Sequence, residues 1–247
     1  MLSQDDAALA AHEQELPGLA LLLDEEAFAA ALRERLPDAG VAGASLFHAR
    51  YKPGHGCVAA YRVSMDGAEV DVYARAVSRE SFGRLEPASD VMLLEAAAVY
   101  VCVFPDDRGL EALALLGTPD TRAGLLAEVL PDRPTLWDAD ASRLRYRPEQ
   151  RFVARLEGPN GERAVLKLHA RKRSYEKAAL NETAFRSSGP LRVPASLGSS
   201  DRQQATAQEW LPGGSLDDLI GKPGFDASLL ESVGAALAEL HQQAPAG

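Results

Sequence analysis

The sequence has few cysteines, a deficit of positive charge and no long hydrophobic segment. Its two cysteines, Cys57 and Cys102, belong to no Cys-X-X-Cys pair, which argues against a disulfide scaffold and against a cysteine-based zinc site. Lys and Arg number 26 against 36 Asp and Glu, so the net charge is −10. This deficit argues against general nucleic-acid binding, because such proteins usually need an overall basic field or a basic stripe.

Signals for a membrane or for secretion are also lacking. The longest apolar stretch, residues 96–104, is well short of the roughly 20 residues that a membrane-spanning helix needs. The first six residues, Met-Leu-Ser-Gln-Asp-Asp, lack the basic end and apolar core of a secretion signal. We therefore expect a cytoplasmic protein without a membrane partner.

The 247 residues are 46% hydrophobic and 25% charged, which is typical of a soluble globular protein with one large domain or two ordinary ones. The first forty residues favour helices. Asp24 is suited to cap a helix in which Phe28, Leu32 and Leu36 recur four apart and form one apolar stripe.

The most informative feature is an internal repeat. The motif Arg50-Tyr51-Lys52-Pro53 and the strand-like run that begins at Cys57 recur as Arg145-Tyr146-Arg147-Pro148 and the run that begins at Phe152. The offset between the two copies is constant at 95 residues, from 50 to 145 and from 57 to 152.

Each copy continues into a glycine turn, a second strand and a basic, helix-like stretch. The turns contain Asp66-Gly67 and Asn160-Gly161, dipeptides that favour hairpins because the turn needs positive φ. The second strands are predicted at 69–77 and 163–169, and the helix-like stretches at 78–85 and 171–185. The sequence therefore predicts an α+β fold with two units, each an antiparallel sheet plus a helix.

Other segments divide the chain further. Helical segments are expected around 110–116, 121–130, 215–220 and 228–241, and strands at 99–104, near Leu197 and at 205–211. The run 131–134 is the expected domain boundary, because its two prolines disfavour helix and central strand. The predicted divisions are a helical segment at 1–44, a first unit at 45–131, a second unit at 132–214 and the beginning of a helical region at 215–247.

One residue pair indicates a specific site. Lys167 lies in the middle of a predicted strand among apolar neighbours, and the helix that follows begins near Ser174. In that helix Glu182 shares a mostly apolar face with Tyr175, and an unpaired charge there would be costly. The pattern predicts that Lys167 points inward and pairs with Glu182.

A strand lysine paired with a glutamate on the next helix resembles the arrangement by which kinase-like folds hold ATP phosphates. The hinge-like run Gln208-Glu209-Trp210-Leu211-Pro212-Gly213 and the helix end Leu237-Ala238-Glu239-Leu240-His241 add to the likeness. Together these motifs resemble the aminoglycoside phosphotransferase and choline kinase family. The tandem arrangement is similar to that of bacterial, maltokinase-type members with a degenerate N-terminal lobe. The resemblance covers about residues 45–243 and makes both units small-lobe-like.

The resemblance implies ATP as the ligand and Mg²⁺ as its metal ion. It implies that Lys167 contacts the α and β phosphates and that Glu182 orients this lysine. The loop at 147–151 would cover the phosphates, with Arg151 as a direct contact. The hinge that would bind the adenine edge through its backbone consists of Gln208, Glu209 and Trp210.

The sequence departs from the family pattern in two places. The loop at 147–151 has no glycine, whereas the first copy has Pro53-Gly54-His55-Gly56 there and places Arg75 near the lysine position. The family's catalytic His-Gly-Asp would follow His241 and does not occur in this sequence, and the magnesium carboxylate would lie later still. We therefore expect no catalytic residue and no metal ligand here, and interpret the sequence as a fragment or as a chain that lost its large lobe.

The predicted function is the N-terminal portion of a kinase-like phosphotransferase, inactive on its own. The intact enzyme would move the γ-phosphate of ATP to a hydroxyl of a small molecule such as a sugar, aminoglycoside or amino alcohol. The alternative is a non-catalytic binding or regulatory module built from two lobe-like units. The sequence determines neither the acceptor nor the oligomeric state.

Each site residue also has a plainer interpretation. Lys167 and Glu182 would serve as an ordinary strand–helix ion pair, Arg151 as a surface charge and Trp210 as a packing residue. His48, His55 and His169 show no metal-ligand spacing, which favours hydrogen-bonded or solvated histidines over metal ligands.

Overall fold

The computed structural model describes residues 2–86, 91–216, 219–220, 222 and 224–243. Over these residues it contains two five-stranded antiparallel sheets and several helices. This confirms the α+β fold class and the two units of antiparallel sheet plus helix, the second followed by a further helix. The helices within the described ranges include none that is long and apolar enough to cross a membrane.

Contacts divide the chain into two units. Unit 1 comprises Met1–Ala114 together with Arg147–Glu149, and unit 2 comprises Leu115–Tyr146 together with Gln150–Gly247. The division falls between Ala114 and Leu115, ahead of the proline-containing run at 131–134 where the sequence analysis put the boundary.

Unit 1 has its first helices before its sheet. Its elements are α1 (Gln4–His12), α2 (Leu19–Leu23), α3 (Glu25–Arg35), β1 (Val41–Lys52), β2 (Gly56–Met65), β3 (Ala68–Ala76), α4 (Arg79–Gly83), β4 (Val91–Leu94) and β5 (Val99–Val103). The strand order is β1-β2-β3-β5-β4. The segment expected to be helical at 110–116 forms a 3₁₀ helix at Glu111–Leu116.

The core of unit 1 lies between its helices and its sheet. Asp24 caps α3 by accepting hydrogen bonds from the backbone N–H groups of Glu26 and Ala27, as the sequence predicts. Phe28, fully buried on α3, stacks on the ring of Tyr61 with centroids 4.0 Å apart. Such an aromatic pair contributes more than its buried area alone, about 1 kcal/mol, and fixes α3 on the sheet.

Unit 2 repeats the order of three strands, one helix and two strands found in unit 1, but has one α-helix before it instead of three and one α-helix after it. Its elements are α5 (Pro119–Val129), β6 (Asp140–Arg147), β7 (Arg151–Glu157), β8 (Arg163–His169), α6 (Lys172–Ala184), β9 (Ser196–Ser200), β10 (Ala205–Glu209) and α7 (Ser228–Gln242). The strand order, β6-β7-β8-β10-β9, is the same as in unit 1. The helix expected at 215–220 includes Asp217 and Asp218, which lie outside the described residues.

Helix α5 belongs to unit 2 because it packs on β9 and β10. Leu126 and Val129 of this helix are fully buried. The backbones approach so closely that a Cβ on Gly198 would lie 2.1 Å from the carbonyl oxygen of Val129. Glu128 adds a polar contact, since it accepts a hydrogen bond from Arg202 Nε at 3.1 Å. These contacts place the division between units before α5.

The central strands of unit 2 have one apolar face and one polar face, because successive side chains of a strand point to opposite sides. The apolar face is buried in the core and consists of Phe152, Ala154, Leu156, Ala164, Leu166, Leu168, Ala205 and Ala207. We call the opposite side the polar face; it carries Arg151, Val153, Arg155, Val165, Lys167, His169, Thr206 and Gln208. Helix α6 packs on this side, next to β8 and β10.

Candidate phosphate-binding site

Lys167 and Glu182 meet across the space between the sheet and α6. Lys167 sits on β8, opposite Val153 of β7 and Thr206 of β10. Its Nζ lies 3.8 Å from Glu182 Oε1, and the two side chains are 25% and 4% exposed. The structure thus brings together the cation and the anion that the sequence pairs, with the lysine partly open to solvent.

Burial acts against both charges of this pair. It lowers the pKa of the Lys167 ammonium, and the nearby Glu182 carboxylate only partly offsets this effect. It also raises the pKa of Glu182, against the opposing influence of Thr206, Lys167 and Ser196. Oxygen Oε1 of Glu182 is buried and accepts no hydrogen bond from the described part of the chain, whereas Oε2 accepts one from the Ser196 hydroxyl at 3.2 Å. The fold therefore holds an ion pair that is only partly compensated.

Helix α6 begins earlier than the sequence suggested. Arg171 is its N-cap residue, and Ser174 lies inside the first turn, where its N–H donates to the carbonyl oxygen of Arg171 at 2.9 Å. The expectation that the helix begins near Ser174 is wrong by about two residues. Tyr175 and Glu182 are nevertheless both buried on one side of this helix, as the spacing predicts.

The hinge-like residues are mostly part of the sheet. Gln208 and Glu209 lie in β10, opposite Val165 and Ala164 of β8. The N–H of Glu209 donates to the carbonyl oxygen of Ala195 at 2.8 Å, so it is not available to an adenine. The side chain of Gln208, rather than its backbone, reaches the site, because its Oε1 accepts a hydrogen bond from Lys167 Nζ.

Trp210 is the first residue after β10 and lies beside β7. The guanidinium carbon of Arg155 is 5.8 Å from the centroid of its indole ring. Of the three residues expected to contact adenine through the backbone, Trp210 alone lies outside the strand.

The loop expected to cover the phosphates is largely a part of unit 1, which contains Arg147–Glu149. Glu149 has a left-handed backbone, with φ of 58°, and its N–H donates to Asp107 Oδ2 at 3.0 Å. Its carboxylate accepts hydrogen bonds from Arg75 Nη1, at 2.6 Å, and from the hydroxyl of Tyr100. In unit 1 this segment supplies a carboxylate that is already hydrogen-bonded. Of the loop expected to cover the phosphates, residues 150 and 151 belong to unit 2.

Arg75 occupies the position in unit 1 that Lys167 occupies in unit 2. Arg75 lies opposite Val58 of β2, and Lys167 lies opposite Val153 of β7; Val58 and Val153 are equivalent in the repeat. The helix after β3 has only five residues, and the carboxylate that neutralises Arg75 is that of Glu149.

Arg151 and His169 extend the positive charge around Lys167. Arg151 begins β7 directly opposite His169, which ends β8. His169 is 7% exposed, and its Nε2 is buried without a hydrogen-bond partner among the residues that the structure describes. Burial, Arg151 and Lys167 together lower the pKa of His169 to about 4. Sequence reasoning missed this residue, although its position two residues after Lys167 on the same strand puts both side chains on one face.

Metal ligands do not accompany this site. Within the described ranges, no group of three or more His, Cys, Asp or Glu side chains is arranged to hold a metal ion. The basic side chains that are present, Arg151, Lys167 and His169, are of the kind that binds anions.

The site so described has three basic side chains, one buried carboxylate and one indole ring at the end of a strand. The chain matches no protein-family model, no curated protein and no solved structure.

Proposed function

We propose that unit 2 binds the phosphates of ATP on its polar face, as the nucleotide-binding part of a cytoplasmic phosphotransferase that acts on a small-molecule hydroxyl. The observation that carries this proposal is the pair of Lys167 and Glu182, 3.8 Å apart, in which the carboxylate is buried and the ammonium is partly exposed. A partly desolvated ammonium that is only incompletely paired suits an anionic ligand.

Neighbouring side chains on the polar face support the same ligand. Arg151 adds a second cation near Lys167, since both lower the pKa of His169. Val153 and Val165 are half-buried aliphatic residues on adjacent strands, and they offer an apolar surface for a base or ribose. Cations at one end and aliphatic groups beside them match the two chemical halves of a nucleotide.

The proposed contribution of the described residues is binding rather than transfer. The sequence contains no His-Gly-Asp motif to accept the hydroxyl proton, so the transfer step requires groups from elsewhere, together with Mg²⁺. Helix α7 offers a surface for a helical lobe carrying them, because Leu229, Leu230, Val233 and Leu237 are all exposed on it. Contiguous exposed apolar residues of this kind usually mark an interaction surface.

Thermal unfolding with and without Mg-ATP tests the proposal. Both tryptophans, Trp137 and Trp210, lie in unit 2, so their fluorescence reports on this unit. A Kd near 0.1 mM would give roughly 1.4 kcal/mol of stabilisation at 1 mM ATP, which raises the Tm by about 3–6 °C. No rise at 5 mM Mg-ATP would contradict the proposal.

A matched pair of variants distinguishes ATP binding at Lys167 from a non-specific effect of ATP on the surface charges of the protein. Lys167→Met should abolish the rise in Tm, because it removes the phosphate contact. Lys172→Met should keep it, because Lys172 is 81% exposed and pairs with Glu176 on the helix surface. An equal rise in both variants would place the nucleotide somewhere other than the polar face.

A second candidate function is a non-catalytic binding or regulatory module. It is favoured by unit 1, in which the equivalent cation, Arg75, is neutralised internally by Glu149. The same sheet position can thus carry an ion pair that needs no ligand. Under this alternative, Mg-ATP would raise the Tm of neither the parent nor the Lys167→Met variant.

A further inference from the structure

We propose that His169 is a third phosphate-binding residue of the polar face and that it takes up a proton when a triphosphate binds beside Arg151 and Lys167. This inference rests on the proposed function of unit 2. It adds His169 and its proton to the site, and neither is among the features that the kinase-like resemblance implies.

The register brings the three basic side chains to one patch. Arg151 and His169 are directly opposite on β7 and β8, where Cβ atoms lie about 5 Å apart. Lys167 is two residues from His169 on the same strand and the same face, a separation of about 7 Å. A chain of phosphate groups extends over a comparable distance, so one ligand can reach all three nitrogen-bearing groups.

The ring of His169 lacks the partner that its burial calls for. It is 7% exposed, and Nε2 is buried without a hydrogen bond to any described residue. Buried polar atoms are nearly always paired, and an unpaired one is unfavourable by about 1–3 kcal/mol. A protonated imidazole donates from both nitrogens, so a phosphate oxygen is the acceptor that Nε2 would then reach.

The acidic groups around His169 are already engaged. From α6, the hydroxyl of Tyr175 donates to Asp201, and Glu182 faces Lys167. From the turn before β10, Gln204 contributes its backbone oxygen, which accepts the N–H of His169 at 3.0 Å. The charges that act most strongly on the imidazole are therefore positive.

Those charges keep His169 neutral in the free protein. Burial comes first, then Arg151 and Lys167, and together they lower the pKa of His169 to about 4. A bound triphosphate offsets both cations and adds negative charge, which raises the pKa of His169 from this lowered value, although burial still acts against the charged form. Binding near neutral pH therefore takes up a proton, and affinity falls as the pH rises through the pKa of the complex.

Isothermal titration calorimetry measures this proton directly. Mg-ATP is titrated into the protein at pH 6.5 in two non-phosphate buffers that differ in ionisation enthalpy. The parent should take up at least 0.3 proton more than His169→Gln, and this variant should bind several-fold more weakly. Proton exchange by ATP itself cancels in the difference between the two proteins. His55→Gln, which changes an exposed histidine, should behave as the parent does.

Two further measurements keep the test decisive. Inorganic tripolyphosphate should show the same difference between parent and His169→Gln, since the phosphates carry the effect. If His169→Gln does not fold, the NMR titration of the His169 ring in the parent replaces it, and its pKa should rise by at least one unit with saturating Mg-ATP.

The outcomes separate this inference from the proposed function. Binding of Mg-ATP with equal proton uptake in parent and His169→Gln, or with an unchanged His169 titration, overturns the role of His169 and leaves the nucleotide site standing. Binding of neither Mg-ATP nor tripolyphosphate by the parent overturns both.

Discussion

Units 1 and 2 place a cation at the same position of the same kind of sheet and neutralise it in different ways. In unit 1 the cation is Arg75, and both oxygens of Glu149 are used: one accepts from Arg75 and the other from Tyr100. In unit 2 the cation is Lys167, and Glu182 Oε1, which faces it at 3.8 Å, accepts no hydrogen bond from the residues described.

The difference teaches what each pair is suited to do. A buried carboxylate whose hydrogen bonds are all made stabilises the fold, and breaking it is strongly unfavourable. In unit 2 the partly exposed Lys167 ammonium lies 3.8 Å from its carboxylate and is disfavoured by burial, so it has N–H donors left for an added anion. The proposed binding of an anionic ligand therefore concerns the pair of unit 2, whereas the carboxylate of unit 1 already accepts a hydrogen bond through each of its oxygens.

Two residue types allow the units to be followed separately. Both cysteines, Cys57 and Cys102, are buried in unit 1, and burial raises the pKa of Cys57 to about 11. Thiol labelling therefore requires unit 1 to open. Tryptophan fluorescence follows the unfolding of unit 2. One sample therefore gives the stability of unit 1 from thiol labelling and that of unit 2 from fluorescence.

The largest effect is expected from Glu149→Ala. The variant leaves Arg75 and Tyr100 without their shared acceptor, which should lower the free energy of unfolding of unit 1 by about 3 kcal/mol. Thiol labelling, which is governed by opening, should become more than 100-fold faster. Urea unfolding followed by tryptophan fluorescence should change by less than 1 kcal/mol.

The control for this variant is Glu80→Ala in the same unit. Glu80 also pairs with an arginine, Arg84, but both side chains are more than 70% exposed. Exposed pairs contribute at most about 0.5–1 kcal/mol, so labelling should accelerate less than fivefold. Equal effects of the two variants would remove the distinction between the pairs.

The next effect in size is a pH dependence confined to unit 2. The pKa of His169 is lowered to about 4 in the folded protein, so below pH 6.5 the unfolded chain binds this proton first. Stability is therefore lost as the pH falls from about 6.5 to 4, by about 2 kcal/mol. Urea unfolding of the parent and His169→Gln across this range measures it. A parallel fall in both proteins would show that His169 is not the group responsible.

The smallest effect is expected from Glu182→Gln, the counterpart of the unit 1 variant. Because burial raises the pKa of Glu182, ionisation of its carboxyl group is less favourable in the folded protein than in the unfolded chain. A neutral side chain of the same shape should change the unfolding free energy by less than about 1 kcal/mol, in either direction. Urea unfolding at pH 7 checks this, and a loss as large as that in Glu149→Ala would make the pair a structural one.

Much of unit 2 was predictable because its information is local. The asparagine–glycine turn, the alternation along β8 and the helical spacing of α6 fix the strand at Arg163–His169 and bring Lys167 to Glu182. The 95-residue repeat then extends the same arrangement to unit 1. The residues that determine these features are close together in the sequence or belong to a motif that occurs in both copies of the repeat.

The rest depends on contacts between distant residues. Glu149 and Arg75 are 74 positions apart, and no local pattern joins them. The apolar face of α5 would fit either sheet, so its place on β9 was not predictable. The amide of Gln208 reaches Lys167 only because β10 and β8 pair in this register.

The left-handed backbone of Glu149 allows two effects on stability to be measured separately: the stabilisation by its carboxylate and the strain of its main chain. A residue with a side chain is strained at a φ of 58°, by about 1 kcal/mol or more, and glycine is not. Replacement by glycine would relax the main chain while deleting the acid, so it should be tolerated better than replacement by alanine. The difference in the free energy of unfolding between those two variants measures the backbone strain at this turn, which places the carboxylate beside Arg75.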